Sequence, residues 1–319
     1  MSLNPDLAAY LQLVEAGRSA GKVLPMHALA ADEARRQFEE SSALIAGKAD
    51  EPDCISDLSL TTRDGHTLPV RLYRPPQADP ALAGAALLYL HGGGYVVGSL
   101  DSHDTLCWNL AQDAGVPVIA VGYRLAPQWR FPTASDDALD AWRWLVEQAE
   151  ALGLDAQRLA VVGDSVGGSL ATILANRLAA QRELPAPRLQ VMIYPVTDAS
   201  CRRPSVQRYG SGYLLEAQTL EWFYQQYATV PADRHDPRFS PLLGSIASNS
   251  APALMLIAEC DPLHDQGVAY CTALGASRGG GAAVAVIPGV THDFMRMGSI
   301  IEEADEGLAM VVEALQQHL

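Results

Sequence analysis

The chain contains a series of short apolar runs, each bounded by glycine, proline or polar residues, and this pattern is typical of buried β-strands. Most of these runs are separated by longer stretches in which apolar residues recur at helical spacing. Repeated strand–helix–strand units with nearly all-apolar strands predict an α/β fold, in which helices cover both faces of a parallel sheet. The predicted strands are residues 55–60, 68–73, 85–90, 116–121, 159–162, 189–194, 253–258 and 284–287. The predicted helices between and after them are residues 133–151, 169–181, 264–277 and 301–317.

Three segments depart from this alternation. Residues 1–50 have apolar residues at helical spacing and predict two helices that carry no candidate chemistry. The first two strands are joined by a short turn at residues 63–66, so we expect an antiparallel hairpin. Residues 200–245 include a helix-like stretch and are too long for a plain loop. We therefore expect an N-terminal helical cap segment over residues 1–50 and an α/β domain over residues 51–319, with a cap insertion at about residues 200–245.

Composition and charge exclude several classes of protein. The 319 residues are 49% hydrophobic and 18% charged, which describes a folded globular chain. The formal net charge of −15 argues against nucleic acid and anionic membrane surfaces as partners. Five cysteines occur without any Cys-x-x-Cys pair, so we expect reduced thiols and no zinc site. Because the N-terminus lacks a signal-like segment and no long apolar run is present, the sequence predicts a cytoplasmic protein with no membrane span.

A tight turn, Gly163-Asp-Ser165-Val-Gly167, lies between the strand at 159–162 and the helix at 169–181. A serine in such a strand-to-helix turn has a strained backbone and an exposed hydroxyl, and glycines on either side leave room for the chain to reverse direction. The N–H groups at the start of the helix point towards the serine. The turn predicts a nucleophilic serine, Ser165, and the alternative is an ordinary turn that caps a helix.

A serine nucleophile needs a base, and the base needs an acid that fixes its tautomer. Asp261 follows the strand at 253–258, and His292 follows the strand at 284–287. Taken singly, the aspartate resembles a helix N-cap and the histidine a solvated loop residue. Their order along the chain, nucleophile then acid then base, is the order found in α/β-hydrolases. We therefore predict Ser165, Asp261 and His292 as a catalytic triad.

Other titratable residues near these positions are weaker candidates. We expect His264 and Asp265 to point away along the helix that follows Asp261, and Asp293 to project away from the triad. Asp164 is better placed to brace nearby loops than to orient the base. The remaining histidines have no partner pattern and are expected to be structural; they are His27, His66, His103, His235 and His318.

Acyl transfer also requires hydrogen-bond donors for the oxyanion. The run His91-Gly92-Gly93-Gly94 follows the strand at 85–90, and glycine lets backbone N–H groups approach a ligand oxygen. This run is typical of the oxyanion element of lipases and esterases. We predict the N–H groups of Gly92, Gly93 and Val166 as the donors. A flexible glycine loop is the alternative, and phosphate binding fits poorly because no Gly-Lys-Ser/Thr follows.

Five ordered motifs in residues 56–319 resemble the hormone-sensitive-lipase-like family of α/β-hydrolases. The motifs are His91-Gly-Gly-Gly94, Tyr123-Arg-Leu-Ala-Pro127 with Phe131-Pro132, Gly163-Asp-Ser-Val-Gly-Gly168, Asp261-Pro-Leu263 and His292-Asp-Phe294. The resemblance implies an α/β-hydrolase fold with an eight-stranded, mostly parallel sheet and a helical cap. It also implies carboxylester hydrolysis without a cofactor or metal, a preference for short acyl chains, and possible assembly as a homodimer.

Two positions depart from the family pattern. The family commonly has glutamate after Leu-Ala-Pro, where this chain has Gln128, and this puts a supporting contact in doubt. The residue after the nucleophile is commonly alanine and here is Val166, whose side chain is expected to crowd the acyl group of the substrate or the helix at 169–181.

The sequence thus predicts a serine carboxylesterase that acts on a small-molecule ester through an acyl-enzyme intermediate. Aromatic residues near the glycine run and in the cap insertion are candidates for lining the substrate pocket, with ordinary packing as the alternative for each. They are Tyr95, Tyr209, Tyr213, Trp222 and Phe223. Two other functions stay open at this point: an amide or peptide-bond hydrolase on the same fold, and a ligand-binding receptor without catalysis.

Overall fold

A single mixed sheet forms the centre of the molecule in the computed structural model, which describes residues 3–46, 54–278 and 282–319. The described part of the chain contributes eight strands to this sheet, in the order β1-β2-β4-β3-β5-β6-β7-β8. The strands are β1 (Ile55–Thr61), β2 (Thr67–Tyr73), β3 (Ala86–Leu90), β4 (Val118–Val121), β5 (Leu159–Asp164), β6 (Gln190–Ile193), β7 (Ala253–Cys260) and β8 (Ala282–Thr291). Strands β1 and β2 pair antiparallel, as do β2 and β4, and all other neighbours are parallel.

Strand β8 is much longer than the predicted run at 284–287. Pro288 and Gly289 looked like the end of the strand, because both residues are strong turn signals. In the structure the ladder with β7 shifts register between Ala258 and Cys260, and pairing resumes opposite Thr291. This irregularity lets the strand continue past the two turn residues and deliver its carboxyl end to the same edge as the other parallel strands.

Helices cover both faces of the sheet. Alternate strand residues enter two different apolar clusters, since successive side chains point to opposite faces. Helices α4 (Thr133–Gln148), α5 (Val166–Gln181) and α8 (His264–Arg278) pack on one face, and α3 (Asp104–Ala114) and α9 (Glu303–His318) pack on the other. Within the described ranges, no helix is both long and apolar enough to cross a membrane.

Helix α3 was not predicted from the sequence. Its buried side chains include Leu106, Leu110, Ala111 and Ala114, whose spacing of four, one and three residues is that of one helical face. The helix begins soon after the glycine-rich run and ends at Gly115, which has a left-handed backbone. The spacing and the terminal glycine are therefore sequence features that predict α3. The helix begins directly after the buried residue His103.

The two segments predicted to form a cap contact each other. The N-terminal segment forms α1 (Pro5–Ser19) and α2 (Ala31–Ala46), and the insertion forms α6 (Pro204–Tyr209) and α7 (Ala217–Tyr227). An ion pair joins Arg18 to Glu216 at the start of α7, and His27 Nδ1 lies 3.1 Å from Thr219 Oγ1. Residues 47–53, which include the predicted boundary at 50, lie outside the described residues.

Arg35 of α2 ties the N-terminal segment to the α/β domain. Its guanidinium donates to the carbonyl oxygens of Val96 and Ala126 at 2.8 and 2.7 Å. It also donates to the side-chain oxygen of Gln128 at 2.7 Å. Because an amide oxygen accepts a hydrogen bond, Gln128 supports the contact between its loop and α2.

Candidate active site

Ser165 lies at the junction of β5 and α5 with backbone angles φ 52° and ψ −123°. A positive φ is strained for a residue with a Cβ atom, and such strain is characteristic of a nucleophile elbow. Gly167 makes the turn possible, because a Cβ atom there would overlap the carbonyl oxygens of Leu90 and His91. The elbow therefore packs directly against the end of β3, where the glycine run begins.

The structure brings the three predicted triad residues together at the carboxyl edge of the sheet. Ser165 Oγ lies 2.9 Å from His292 Nε2, and His292 Nδ1 lies 2.7 Å from Asp261 Oδ2. Asp261 follows β7, and its other oxygen accepts the N–H of Leu263 at 2.7 Å. The exposed fractions are 6%, 4% and 1% for the serine, histidine and aspartate, so the three side chains are nearly shielded from water.

The hydrogen bonds fix the tautomer of His292. A carboxylate can only accept, so Nδ1 carries the proton that faces Asp261, and Nε2 is free to accept from Ser165. Burial alone would lower the pKa of His292, but the negative charge and hydrogen bond of Asp261 outweigh burial, and the pKa is raised above its usual 6.5. The base therefore accepts a proton readily and is stabilised once it is charged.

This electrostatic setting predicts an acidic limb in the pH profile. His292 must be neutral to accept the serine proton, so kcat/KM should fall as the pH drops through the raised pKa. We expect the midpoint of this fall to lie above pH 6.5. The check is kcat/KM for 4-nitrophenyl acetate between about pH 5 and about pH 9. A midpoint at or below the usual histidine value would contradict the assignment of Asp261 as the dominant neighbour.

The weaker candidates near the triad have other partners. Asp265 accepts the N–H of Ser205 at 2.8 Å and pairs with Arg208 at 2.9 Å. His264 Nδ1 faces the carbonyl oxygen of Ala258. Asp293 lies 3.8 Å from Arg296, one helical turn away. The expectation that the neighbouring aspartates and His264 are turned away from the base agrees with these contacts.

The glycine run is held by the residue before the nucleophile. The N–H of Gly92 donates to Asp164 Oδ1 at 2.9 Å, and the carbonyl of the same peptide unit, that of His91, accepts from the Tyr123 hydroxyl at 2.7 Å. Gly92 therefore cannot donate to an oxyanion, and its prediction as a donor is wrong. The sequence suggested that Asp164 braces a loop, but it did not indicate which N–H group the carboxylate takes.

The next two peptide units are each fixed through their carbonyl oxygens. The oxygen of Gly92 accepts from His91 Nδ1 at 2.7 Å, and the oxygen of Gly93 accepts from the N–H of Val97 at 2.9 Å. Since the N–H of a trans peptide points opposite to its carbonyl, these bonds set the directions of the N–H groups of Gly93 and Gly94. Burial and the nearby His103 lower the pKa of His91 to about 3, so His91 is neutral and keeps its proton on Nδ1.

The candidate oxyanion donors are three backbone N–H groups, in the glycine run and at the start of α5, that have no acceptor among the described residues. They belong to Gly93, Gly94 and Val166, and Val166 is the first residue of α5. Fixed, unpaired N–H groups next to a nucleophile are suited to a developing oxyanion. The side chain of Val166 is buried in the core, so the Val166 departure leaves this N–H unchanged.

The five aromatic residues predicted to line the substrate pocket differ in burial and in what they contact. The ring of Phe223 lies against Gly94, where a Cβ atom would overlap it, and the Trp222 ring is 5.3 Å from that of Phe223. Tyr95 has no exposed surface and stacks on Tyr227 at 3.9 Å, which favours ordinary packing for this residue. The half-buried pair Tyr209 and Tyr213 pack edge to face with ring centroids 5.1 Å apart. Among the five, Phe223 is the residue placed directly on the glycine run.

In the parts of the chain that the structure describes, no group of three or more His, Cys, Asp or Glu side chains could hold a metal ion. The groups that the structure brings together at this edge of the sheet are the serine, its two partners and the backbone donors. Together these groups can activate a hydroxyl nucleophile and stabilise a tetrahedral oxyanion.

Comparisons with known proteins agree with this geometry. The family described as alpha/beta hydrolase fold matches residues 87–296. Ethyl acetate hydrolase from Pseudomonas putida is 94% identical over 319 residues, the whole of both chains. Carboxylic ester hydrolase LipN from Mycobacterium tuberculosis is 38% identical over 272 residues, covering 83% of this chain and 70% of that protein. A solved structure, the esterase of the archaeon Pyrobaculum calidifontis, matches with a TM-score of 0.90 and 34% identity over 99% of each chain.

The matched region contains all five motifs in full, including the nucleophile, the acid and the base. The identity to the Pseudomonas putida relative, which covers the whole of both chains, extends the match to the N-terminal segment. The chain therefore belongs to the hormone-sensitive-lipase-like family of α/β-hydrolases.

Proposed function

We propose that the protein hydrolyses short aliphatic esters of the ethyl acetate class through an acyl-enzyme on Ser165. Carboxylic ester hydrolysis itself follows from its relatives, and the protein is a carboxylic ester hydrolase. The observation that carries the mechanism is the hydrogen-bonded series Ser165–His292–Asp261, at 2.9 and 2.7 Å, beside unpaired backbone N–H groups.

In the first half of the reaction, Ser165 Oγ attacks the ester carbonyl carbon and its proton passes to His292 Nε2. The carbonyl oxygen becomes an oxyanion, which accepts from the N–H groups of Gly93, Gly94 and Val166. Collapse of this intermediate breaks the bond to the alcohol oxygen, and His292 returns its proton to that oxygen. The alcohol leaves, and the acyl group stays on the serine.

In the second half, a water molecule replaces the alcohol. His292 takes one water proton while the water oxygen attacks the acyl carbon, and a second oxyanion forms at the same donors. The ester bond to Ser165 then breaks, the serine oxygen regains a proton from His292, and the carboxylic acid is released. Asp261 keeps His292 in the required tautomer throughout.

The short-chain preference is supported by the cap. Phe223 of α7 is 5% exposed and packs on Gly94, so a bulky ring fills space next to a proposed oxyanion donor. The Pseudomonas putida relative, 94% identical over its full length, is named for ethyl acetate, an ester with two carbons on each side.

The test is hydrolysis of ethyl acetate, followed by acid release, and of 4-nitrophenyl esters from acetate to laurate. We expect hydrolysis of ethyl acetate and a rate maximum at the short acyl chains. 4-Nitroacetanilide is the matched amide, and it should react far more slowly than 4-nitrophenyl acetate. A maximum at long chains would contradict the proposed substrate class, and a faster anilide reaction would favour an amidase.

Replacing Phe223 with alanine should move the rate maximum to longer acyl chains. Removing the ring opens space beside Gly94 for a longer acyl chain. We therefore expect the ratio of kcat/KM for the octanoate ester to that for the acetate ester to rise by about tenfold, because the added contacts of a longer chain in a hydrophobic pocket are worth about one to two kcal/mol. The exposed aromatic Trp129, which contacts His66 and Arg124, provides the control W129A with an unchanged ratio. An unchanged ratio in F223A would show that another residue limits chain length.

A further inference from the structure

A second buried polar network lies behind the proposed oxyanion donors, and the catalytic steps above do not use it. Its centre is Asp164, which has no exposed surface. Oδ1 of Asp164 accepts the N–H of Gly92 at 2.9 Å and the hydroxyl of Tyr89 at 2.7 Å. Oδ2 faces His103 Nε2 at 3.4 Å. This carboxylate, at the end of β5, therefore connects that strand to the glycine run and to the start of α3.

His103 is itself held in place. Its side chain is buried, and Nδ1 lies 2.9 Å from the hydroxyl oxygen of Ser102. Because the facing carboxylate can only accept, Nε2 of His103 carries a proton that points at Asp164. The His91 ring centroid lies 5.4 Å away, so the same histidine also packs beside the first residue of the glycine run.

A buried carboxylate needs such partners to stay ionised. Burial alone would raise the pKa of Asp164, but the neighbouring His103, the hydroxyl of Tyr89 and the charge of Arg296 lower it below its usual range. An ionised carboxylate accepts a stronger hydrogen bond from a backbone N–H than a neutral group does. The bond to Gly92 thus depends on the groups that keep the carboxylate ionised, among them His103 at the other carboxylate oxygen.

We propose that Asp164 and His103 are positioning residues for the oxyanion donors: Asp164 acts through Gly92, and His103 acts through Asp164. The bond to Asp164 fixes the peptide unit that precedes the N–H groups of Gly93 and Gly94. A small rotation of this unit would turn both donors away from the oxyanion, which is held by hydrogen bonds of about 3 Å. The inference rests on the proposed function and adds to it two residues whose side chains act through the glycine run.

The test uses two substitutions of His103. His103→Leu removes the N–H that faces Asp164, whereas His103→Gln keeps an amide N–H at similar reach. For 4-nitrophenyl acetate we expect His103→Leu to lower kcat by about 10- to 100-fold with KM within about threefold, because only transition-state binding is lost. His103→Gln should recover most of this loss. Titration of active sites with an organophosphate corrects each kcat for the folded fraction.

A transition-state analogue separates positioning from general damage. The serine adds to 1,1,1-trifluoroacetone, its proton passes to His292, and the resulting hemiketal oxyanion requires the same donors. In His103→Leu the inhibition constant of this ketone should rise by the same factor by which kcat/KM falls. Butanone, which binds without forming a stable oxyanion, should inhibit both proteins equally.

Several results would overturn the inference. These are an unchanged kcat in His103→Leu, a kcat of His103→Gln as low as that of His103→Leu, or an unchanged inhibition constant of His103→Leu for the trifluoromethyl ketone. If His103→Leu does not fold, Asp164→Asn takes its place, because its NH₂ group would face the His103 N–H and weaken the network while leaving the volume unchanged. Wild-type protein without esterase activity would instead overturn the proposed function, and this inference with it.

Discussion

Replacing Ser165 with alanine is expected to abolish ester hydrolysis almost completely. In triad hydrolases the loss of the serine costs about 10⁶ in kcat, because no other group can form the acyl-enzyme. The hydroxyl lies 2.9 Å from His292 Nε2 and Ser165 is only 6% exposed, so water is poorly placed to replace it. The measurement is kcat for 4-nitrophenyl acetate, with the burst of 4-nitrophenol as a second readout. The burst should disappear in the variant.

Ser169 provides a matched control one helical turn later in α5. Its hydroxyl donates to the carbonyl oxygen of Val196 and has no part in the proposed chemistry. Ser169→Ala should lose some stability and keep kcat within about tenfold, since one buried hydrogen bond contributes only about 1 kcal/mol. Activity that survives Ser165→Ala, or that vanishes equally in both variants, would contradict the assignment of Ser165 as the nucleophile.

Replacing Asp261 with asparagine is expected to lower kcat by about 10⁴-fold, the second large effect. The N–H of Leu263 donates to Oδ1 at 2.7 Å, so the oxygen of the asparagine should stay at Leu263 and its NH₂ group should face His292. A donor there favours the tautomer with the proton on Nε2, which cannot accept from Ser165. The raised pKa of His292 should also fall, because the charge of Asp261 is what raises it. Both effects appear in kcat/KM measured against pH.

The matched control is Asp265→Asn, four residues later. Asp265 pairs with Arg208 and accepts the N–H of Ser205, away from the base. We expect kcat close to that of the wild type and an unchanged acidic limb. A large loss in Asp265→Asn together with a small loss in Asp261→Asn would mean that the wrong aspartate has been assigned to His292.

The sequence by itself determined the fold class and the chemical groups. Apolar strands bounded by turn residues mark all eight strands, and local spacing marks Ser165, Asp261 and His292 at the ends of three of them. This works because the carboxyl ends of parallel strands meet at one edge, so residues far apart in the chain converge predictably. A homodimer, which the family resemblance implies, and a cytoplasmic location, which the sequence predicts, are expectations that the fold does not address.

Only the tertiary structure decided how the groups are used. Gly92 and Gly93 are equivalent in the sequence, yet the N–H of Gly92 is taken by Asp164 and that of Gly93 has no acceptor among the described residues. His103 had no partner pattern, because the carboxylate it faces lies 61 residues away and on another element. Hydrogen-bond donors and acceptors pair according to distance and direction in three dimensions, and neither quantity is encoded in residue type or local spacing.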